Sequence, residues 1–438
     1  MDVFSDKKVL FITYTFPPIG GSGIQRNLKY VKYLPAFGWK PYVLTVKMIN
    51  FYVYDTSLLS EVSPETVISR TGSLDPLRLS TFLVSGFRFR ARNKGPEKNP
   101  FFSEGSKFVQ IYRRAVRDFL AIPDPQIGWV PFAYVRGMQL IRKHELKIIF
   151  ASANRLSATV VSYLLSRNTG LPYVLDFPDG WTDDPYLTYP THVHKRLHAA
   201  LEKVIVGNAA AVSVYGEYLA GQFRKRYPWI ADHVHVLPNG FDPDDLKIIQ
   251  PAERDRTKNR IVYMGSLYKH HEGNFVVFLE ALNILPEAFR ENLEVLFVGQ
   301  HYDEAPNHAA SAHLANNVKF IGYVSHEKAL GYLASADAGL LFIRAGDVSS
   351  VTGKVFDYFM SGVPIIACIE PKGMCADILA KAGRDQYVVP PDDPTKLVQT
   401  IIAMSKQNWP RPMGSGWKQF SRKHNAERLG LILDAHRR

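Results

Sequence analysis

The chain has 438 residues, of which 46% are hydrophobic and 21% are charged, and it carries a formal net charge of +12. This length suits two domains that each bury a core, and the composition excludes disordered and fibrous chains. The positive charge favours an anionic partner, a class that includes phosphate-bearing ligands, nucleic acid and anionic membrane surfaces.

The N-terminal region has the pattern of a parallel α/β unit. An apolar run over residues 9–14 predicts a buried strand, and apolar residues at helical spacing over 24–34 predict a helix that Pro35 and Gly38 end. A second strand is predicted over 42–46. Between the first strand and the helix lies a glycine-rich turn made of Gly20, Gly21, Ser22 and Gly23. This turn is either an anion site or merely a tight turn.

Residues 71–125 interrupt the α/β rhythm, and we interpret them as an insertion with short helices. Within it, the stretch from Arg88 to Arg117 has nine Lys or Arg residues against two acidic ones, interleaved with aromatic residues. It could be a solvated loop, a contact for a membrane surface or an anionic acceptor, or a nucleic-acid contact. Because no zinc-finger or RNA-recognition spacing accompanies it, we expect no nucleic-acid partner.

After residue 125 the alternation of predicted strands and helices continues, and the second half of the chain shows the same alternation. Strands are predicted over 147–152, 173–176 and 211–214, with a helix through Val160 and Leu164. The second half predicts five more strands with helices between them, over 261–264, 293–298, 318–321, 338–342 and 364–368. Two α/β domains, hinged between Pro238 and Arg260, follow from this pattern.

The glycine-rich turn fits neither of two common nucleotide motifs. A P-loop would need a Lys-Ser or Lys-Thr pair after its second glycine, and a dinucleotide fingerprint would need a third glycine where Arg26 stands. ATP and NAD are therefore disfavoured as ligands.

A more specific pattern lies between Ser349 and Pro364. Lys354 and Asp357 are three residues apart, so they share one face of a short predicted helix. Lys354 could neutralise a diphosphate near the helix start while Asp357 accepts hydrogen bonds from ribose hydroxyls. The alternative is a surface salt pair between these two side chains on a core helix.

This segment resembles the donor-site motif of GT-B glycosyltransferases of family 4, also called glycosyl transferases group 1. Asp357 matches the second glutamate of that motif, Gly362 and Pro364 match its end, and Ser349 stands in place of the first glutamate. Further similarities cover the whole chain: Phe16 to Arg26 resembles the acceptor-side loop, Pro238-Asn239-Gly240 the interdomain turn, and Gly265 to Lys269 the diphosphate turn.

The resemblance implies two Rossmann-like domains that face each other across a cleft. We expect an N-terminal acceptor-side domain over 1–240, a nucleotide-sugar donor domain over 241–412, and a C-terminal segment over 413–438 that packs back on the first domain. The last helix is expected over about 417–436. The implied activity is transfer of a sugar from a nucleotide-sugar to a hydroxyl acceptor, with retention at the anomeric carbon.

The resemblance also assigns roles to individual residues. Lys354 and Lys269 would stabilise the departing diphosphate, and Asp179, after the strand 173–176, would orient or deprotonate the acceptor. Asp176 is a second candidate, and both aspartates could instead simply cap the turn before Trp181. The expected donor-binding residues are Gly265, Ser266, Tyr323, Ser349, Thr352, Gly353 and Asp357. The expected acceptor and phosphate loop consists of Gly20, Gly21, Ser22, Gly23 and Arg26.

We expect no cofactor and no metal, because His192, His194, His270 and His271 lack metal-ligand spacing. The expected partners are a UDP-, GDP- or other NDP-sugar and a glycan or lipid-linked acceptor, as in bacterial surface polysaccharide or glycoconjugate assembly. Two cysteines and an N-terminus unlike a signal peptide favour a cytoplasmic protein, and attachment to the inner face of the plasma membrane through 88–117 stays open.

Two alternatives to a glycosyltransferase remain at the level of sequence. One is a GT-B phosphorylase or sugar-nucleotide epimerase, which would share both domains and the anion site. The other is a non-catalytic scaffold that binds a sugar nucleotide, motivated by Ser349 and by Pro178, which stands where relatives have His or Arg.

Overall fold

The computed structural model of the chain describes residues 7–20, 22–47, 55–75, 122–182, 187, 189–247, 249–409 and 415–438. Contacts divide the chain into two compact units, the first being Met1–Pro238 with Asn425–Arg438 and the second Asn239–His424. Strands and helices are numbered here in chain order through the described residues. The basic stretch 88–117 and most of the expected insertion 71–125 lie outside these residues.

The first unit contains a parallel sheet of seven strands in the order β3-β2-β1-β4-β5-β6-β7. These strands are β1 Lys8–Ile12, β2 Lys40–Val46, β3 Val67–Thr71, β4 Ile148–Ser152, β5 Tyr173–Phe177, β6 Ala211–Val214 and β7 Val234–Val236. Its helices before the second unit are α1 Ser22–Tyr33, α2 Val130–His144, α3 Ser157–Thr169, α4 His192–Gly207 and α5 Glu217–Arg226.

Helices cover both faces of this sheet, which explains why its central strands are apolar throughout. In β1, Val9 and Phe11 pack on the side of α1, whereas Leu10 and Ile12 pack on the side of α2 and α3. The helix α1 passes into a 3₁₀ turn over Leu34–Phe37, and Gly38 ends it with a positive φ of 79°. The predicted helix end at Pro35 and Gly38 is thus confirmed.

The second unit contains a parallel sheet of six strands in the order β10-β9-β8-β11-β12-β13. These strands are β8 Asn259–Met264, β9 Leu293–Val298, β10 Val318–Gly322, β11 Ala338–Phe342, β12 Ile365–Cys368 and β13 Val388–Val389. Its helices are α6 Glu272–Ile284, α7 Glu287–Glu291, α8 Ala305–Ser311, α9 His326–Ala334, α10 Lys354–Ser361, α11 Met374–Ala382 and α12 Pro394–Lys406.

The last helix, α13, spans Arg422–His436 and is shorter than the helix expected over 417–436. A separate 3₁₀ turn covers Gly416–Phe420, and Ser421 between them has an extended backbone that pairs with Phe241. The Ser421 hydroxyl accepts a hydrogen bond from the His424 N–H, as a side chain at a helix start does. From Asn425 onward α13 belongs to the first unit, where Ala426, Leu429 and Leu433 are buried against α1 and the sheet.

The expectation of two α/β units with parallel sheets is confirmed. Among the described residues, no helix is both long and apolar enough to cross a membrane.

Candidate functional site

The strand order of the second unit reverses between β8 and β11. The chain runs outward from β8 to β9 and β10, and then crosses to β11 and runs outward on the other side. Loops that leave neighbouring strands in opposite directions open a crevice at the carboxyl end of the sheet, where ligands bind in this class of fold. Gly265 follows β8, and the loop over 343–353 follows β11, so the predicted residues Gly265 and Ser349 flank this crevice.

Gly265 lies in a tight turn that only glycine tolerates. Its φ is 101°, and a Cβ added there would lie 2.6 Å from Cε of Lys354. Gly299, at the end of the neighbouring strand β9, has a φ of 144°, and a Cβ there would lie 2.6 Å from the carbonyl carbon of Gly265. Because both glycines lack side chains, the stem of Lys354 can lie across the turn.

Lys354 is the first residue of α10, and its ammonium meets only neutral groups among the residues that the structure describes. The Nζ atom donates hydrogen bonds to the Tyr263 hydroxyl at 2.5 Å and to the Ser266 carbonyl at 3.0 Å. It also lies 4.2 Å from the centroid of the Tyr263 ring. In the part of the chain that the structure describes, no carboxylate pairs with it, and burial lowers its pKa to about 7. A cation held in this way is prepared to receive an anion.

His271 is a neighbour of Lys354 that the sequence did not single out as a ligand-binding residue. It closes the 3₁₀ turn before α6, and its buried Nδ1 atom has no hydrogen-bond partner within the described part of the chain. Burial and the positive charges of Lys354 and His270 lower the pKa of His271 to about 3, so its imidazole is neutral at physiological pH. In the sequence, this histidine is visible only as part of the pair His270-His271, whose spacing does not fit a metal site.

Asp357 lies one turn further along α10 and does not pair with Lys354. Its Oδ1 atom is 4.0 Å from Nε2 of His326, and the same Nε2 atom is 3.6 Å from Oδ2 of Asp245. Burial raises the pKa of Asp357, and the positive charges of His326 and Arg422 oppose this shift. The alternative of a surface salt pair between Lys354 and Asp357 is therefore wrong, because each side chain has different neighbours.

The loop before α10 holds three of the other predicted donor-binding residues. The backbone N–H and hydroxyl of Ser349 both donate to the Asp347 carboxylate, which fixes the loop. The Thr352 hydroxyl accepts a hydrogen bond from the Lys354 N–H at 3.3 Å, and Gly353 is exposed at the start of α10. These residues lie together at the N-terminus of α10, where backbone N–H groups favour anions.

Lys269, Ser266 and Tyr323 occupy different surroundings. Lys269 is exposed, and its ammonium lies 2.8 Å from Glu272 and 3.5 Å from Glu304, with the hydrogen bond to Glu272 raising its pKa. Ser266 meets Lys354 through its carbonyl oxygen. Tyr323 follows the edge strand β10 and is 78% exposed. No contact between Lys269 and Lys354 is present in the described structure.

In the first unit, Arg26 and Asp176 form a buried ion pair. The guanidinium donates to both carboxylate oxygens, at 2.6 and 2.9 Å, and also to the carbonyls of Leu237 and Pro238. Asp176 is inaccessible to solvent and also accepts a hydrogen bond from Ser213. Arg26 thus ties α1 to β5 and to the chain after β7, and Asp176 is engaged rather than open to a substrate.

The rest of the predicted acceptor loop precedes Arg26 in the chain. Gly20 is buried, Gly21 lies outside the described residues, Ser22 begins α1, and Gly23 is exposed with open space around it. The loop therefore brings Arg26 into the core and leaves Gly23 at the surface.

Asp179 lies in an exposed bend after β5, and its negative charge helps to raise the pKa of Arg26. The bend is held from behind by α4. The indole of Trp181 donates to Nδ1 of His198 at 3.1 Å, and the Thr182 N–H donates to Glu202 at 3.2 Å. Of the two aspartates considered from the sequence, Asp179 is the one that solvent reaches.

Two family models match the chain. The model described as "Glycosyl transferase 4-like domain" matches residues 98–240, and the model described as "Glycosyl transferases group 1" matches residues 258–407. The chain belongs to the group 1 glycosyltransferases. A search of curated proteins found no significant match to this glycosyltransferase.

Solved structures show the same fold over almost the full length of this glycosyltransferase. A sucrose-phosphate synthase from Thermosynechococcus elongatus has a TM-score of 0.59 at 14% identity and covers 98% of each chain. A glycosyltransferase from Rickettsia africae has a TM-score of 0.57 at 13% identity and covers 98% of this chain and 96% of its own. A UDP-forming α,α-trehalose-phosphate synthase from Burkholderia xenovorans has a TM-score of 0.55 at 11% identity and covers 98% and 99%. The fold is GT-B.

In the described part of this glycosyltransferase, no group of three or more His, Cys, Asp or Glu side chains is arranged to hold a metal ion. Cys368 and Cys375 are buried free thiols.

Proposed function

We propose that this glycosyltransferase uses a nucleoside diphosphate sugar and retains the configuration at the anomeric carbon. The observation that carries the proposal is Lys354, a half-buried ammonium whose partners among the described residues are all neutral, beside the Gly265 turn. A diphosphate there would restore its charge and replace the water that burial removes. One structural neighbour is named as UDP-forming, which is consistent with this donor class.

In the proposed reaction, the bond between the sugar and the diphosphate breaks, and negative charge grows on the departing diphosphate. Lys354 would donate hydrogen bonds to it, as a fixed cation in a site of low polarity. The neutral His271 could donate a further hydrogen bond from its unpartnered ring nitrogen. These groups and Lys269 would serve in place of a metal ion. Because Lys269 is exposed and already meets two carboxylates, we expect its contribution to be smaller.

Asp357 is the proposed acceptor of hydrogen bonds from the ribose hydroxyls. His326, which lies between Asp357 and Asp245, would keep the Asp357 carboxylate ionised and in place. Ser349 and Thr352 line the same loop, and Gly353 leaves room for a ligand at the start of α10. Tyr323 would contact the nucleobase, since it is exposed directly after the edge strand β10.

The acceptor would meet the first unit near Asp179 and Gly23. Asp179 is the exposed carboxylate there and would orient or deprotonate the attacking hydroxyl. The proposed acceptor is a glycan or lipid-linked hydroxyl, in cytoplasmic assembly of a bacterial surface polysaccharide or glycoconjugate.

The test is to incubate the protein with UDP-, GDP-, ADP- and dTDP-sugars and candidate acceptors, and to measure the nucleoside diphosphate that is released. Lys354→Ala should lower kcat/KM at least about a hundredfold, the size of effect seen when one such donor is removed. Lys396→Ala, at an exposed position of α12, is the matched control and should leave the rate unchanged. Lys269→Ala should fall between the two.

Other outcomes would favour the alternatives. If donors bind by calorimetry but no acceptor yields product, the chain is a sugar-nucleotide scaffold. If it interconverts sugar nucleotides without an acceptor, or depends on free phosphate, it is an epimerase or a phosphorylase. If no donor binds, the proposed role of Lys354 fails.

A further inference from the structure

The outward face of α4 carries apolar side chains that nothing in the described structure covers. Val193, Leu197, Ala200 and Val204 follow one another at spacings of four, three and four residues, so they line one side of three helical turns. Val193 is 62%, Leu197 48% and Val204 43% exposed. The opposite side of the same helix, with His198, Ile205 and Val206, is buried in the first unit. The helix therefore buries one side and exposes apolar side chains on the other.

Cations accompany this apolar face. Arg196 and Lys203, seven residues apart, are both exposed and flank this face along one side. The only acid in the α4 sequence, Glu202, is buried and accepts hydrogen bonds from Arg226 at 2.9 Å and from the Thr182 N–H. Within α4 itself, the exposed apolar side chains are thus accompanied by two cations and by no exposed acid.

A tryptophan extends the face at the end of the helix. The Trp229 side chain is 55% exposed, and its indole N–H donates to the Gly207 carbonyl at 3.1 Å. A Cβ at Gly207 would lie 3.1 Å from the Trp229 ring, so the ring lies against the last turn of α4. Half-exposed tryptophans with a satisfied N–H are typical of surfaces that meet the interface between lipid and water.

We propose that this α4 face, defined by Val193, Leu197, Val204 and Trp229 with Arg196 and Lys203, binds an anionic lipid surface. Apolar side chains flanked by Lys and Arg enter the boundary between headgroups and acyl chains while the cations meet anionic headgroups. Pairing with a second copy of the chain is disfavoured, because it would bring two pairs of cations together with no exposed acid of α4 between them.

This docking does not depend on the proposed donor or acceptor, and it can be measured without either. It also assigns membrane attachment to a surface different from the basic stretch 88–117.

The test is co-sedimentation of the full chain with vesicles of phosphatidylcholine and phosphatidylglycerol, and with vesicles of phosphatidylcholine alone. The wild type should bind the anionic vesicles, and added salt should weaken the binding. Each cation near an anionic surface strengthens binding about fivefold, so Arg196→Gln with Lys203→Gln should lose on the order of twentyfold. Val193→Ser with Leu197→Gln and Val204→Ser keeps the charge and should lose about tenfold.

The matched control is Lys381→Gln with Lys396→Gln, two exposed cations of the second unit, which changes net charge equally. Circular dichroism and thermal unfolding would establish that every variant is folded. Equal losses in the control and the α4 charge variant would overturn the proposal, as would full binding by the apolar variant. Loss of binding only on neutralising Arg88, Arg90 and Arg92 would transfer the role to that stretch. A dimer in sedimentation velocity that the apolar variant dissociates would show a protein partner instead.

Discussion

Lys354 makes the stability of the protein depend on pH. Burial lowers its pKa from 10.5 in the unfolded chain to about 7 in the folded protein. Below about pH 7 the ammonium is charged in both states, and its burial cost is fully present. Between the two pKa values only the unfolded chain holds the proton, so stability rises with pH and the cost fades.

Lys354→Met should therefore stabilise the unliganded protein by about 2 kcal/mol near pH 6 and by much less near pH 9 or above. Urea unfolding of both proteins at the two pH values measures the difference. Among the described residues, the titratable groups near Lys354 are Tyr263, whose pKa burial raises, and His270 and His271, whose pKa values burial lowers. A gain that is independent of pH would contradict this account of Lys354. Added UDP should reverse the order, because only the wild type offers the diphosphate the Lys354 ammonium.

The ion pair between Arg26 and Asp176 should contribute more than exposed pairs do. Arg26→Met would leave the inaccessible carboxylate of Asp176 without its cation and should cost about 3–5 kcal/mol of the free energy of unfolding. Arg224→Ala breaks the exposed pair with Glu217 in the same unit and should cost less than about 1 kcal/mol. Denaturant titrations of both variants measure these losses. Similar losses of free energy of unfolding would mean that the buried pair contributes no more than the exposed one.

Residue types in the site were partly predictable from the sequence. The three-residue spacing of Lys354 and Asp357 predicted that both lie on one helix, as they do on α10, because helical neighbours are local in the chain. Their actual partners were not predictable, since Tyr263 and His326 come from distant elements that only the folded sheet brings near α10. The same reason hid the pairing of Arg26 with Asp176.

At the scale of elements, the sheet strands were the most predictable part. The runs over 293–298 and 338–342 coincide with β9 and β11, because buried parallel strands are apolar on both faces and end at glycines or polar residues. Helix ends set by tertiary contacts were less predictable. Ser421 separates the 3₁₀ turn from α13 because its backbone pairs with Phe241, and no local sequence pattern predicts this pairing.

The turn formed by Gly265 and Gly299 should tolerate no side chain. Gly299→Ala forces a positive φ on alanine and places its Cβ against the backbone of Gly265, so the turn under Lys354 must move. We expect a loss of about 1–3 kcal/mol in stability and weaker UDP binding. Gly273→Ala in α6, where nothing lies within 4 Å, should be neutral or slightly stabilising. Thermal unfolding with and without UDP compares the two variants. Equal unfolding temperatures under both conditions would mean that the turn contributes neither to stability nor to UDP binding.

At the scale of the whole molecule, the chain returns to the first unit after completing the second. Removal of residues 425–438 would take Ala426, Leu429, Ile432 and Leu433 out of the first unit's core. We expect the first unit to lose more than about 5 kcal/mol of stability, while the second unit keeps its own unfolding transition. Calorimetry and limited proteolysis would show which unit unfolds. Equal loss in both transitions would mean that the two units do not unfold separately.

The two sides of α4 also set a distance. Its inner side holds Trp181 and Thr182, next to Asp179, and its outer side is the proposed lipid-facing surface. A helix with its side chains is about 10 Å thick. When α4 docks in this way, its thickness holds the bend that contains Asp179 roughly 10 Å above the headgroups. A lipid-linked acceptor would then need a spacer, such as a pyrophosphate or a first sugar, to lift its hydroxyl to Asp179. A hydroxyl that lies at the level of the headgroups would not reach Asp179 and would not be a substrate.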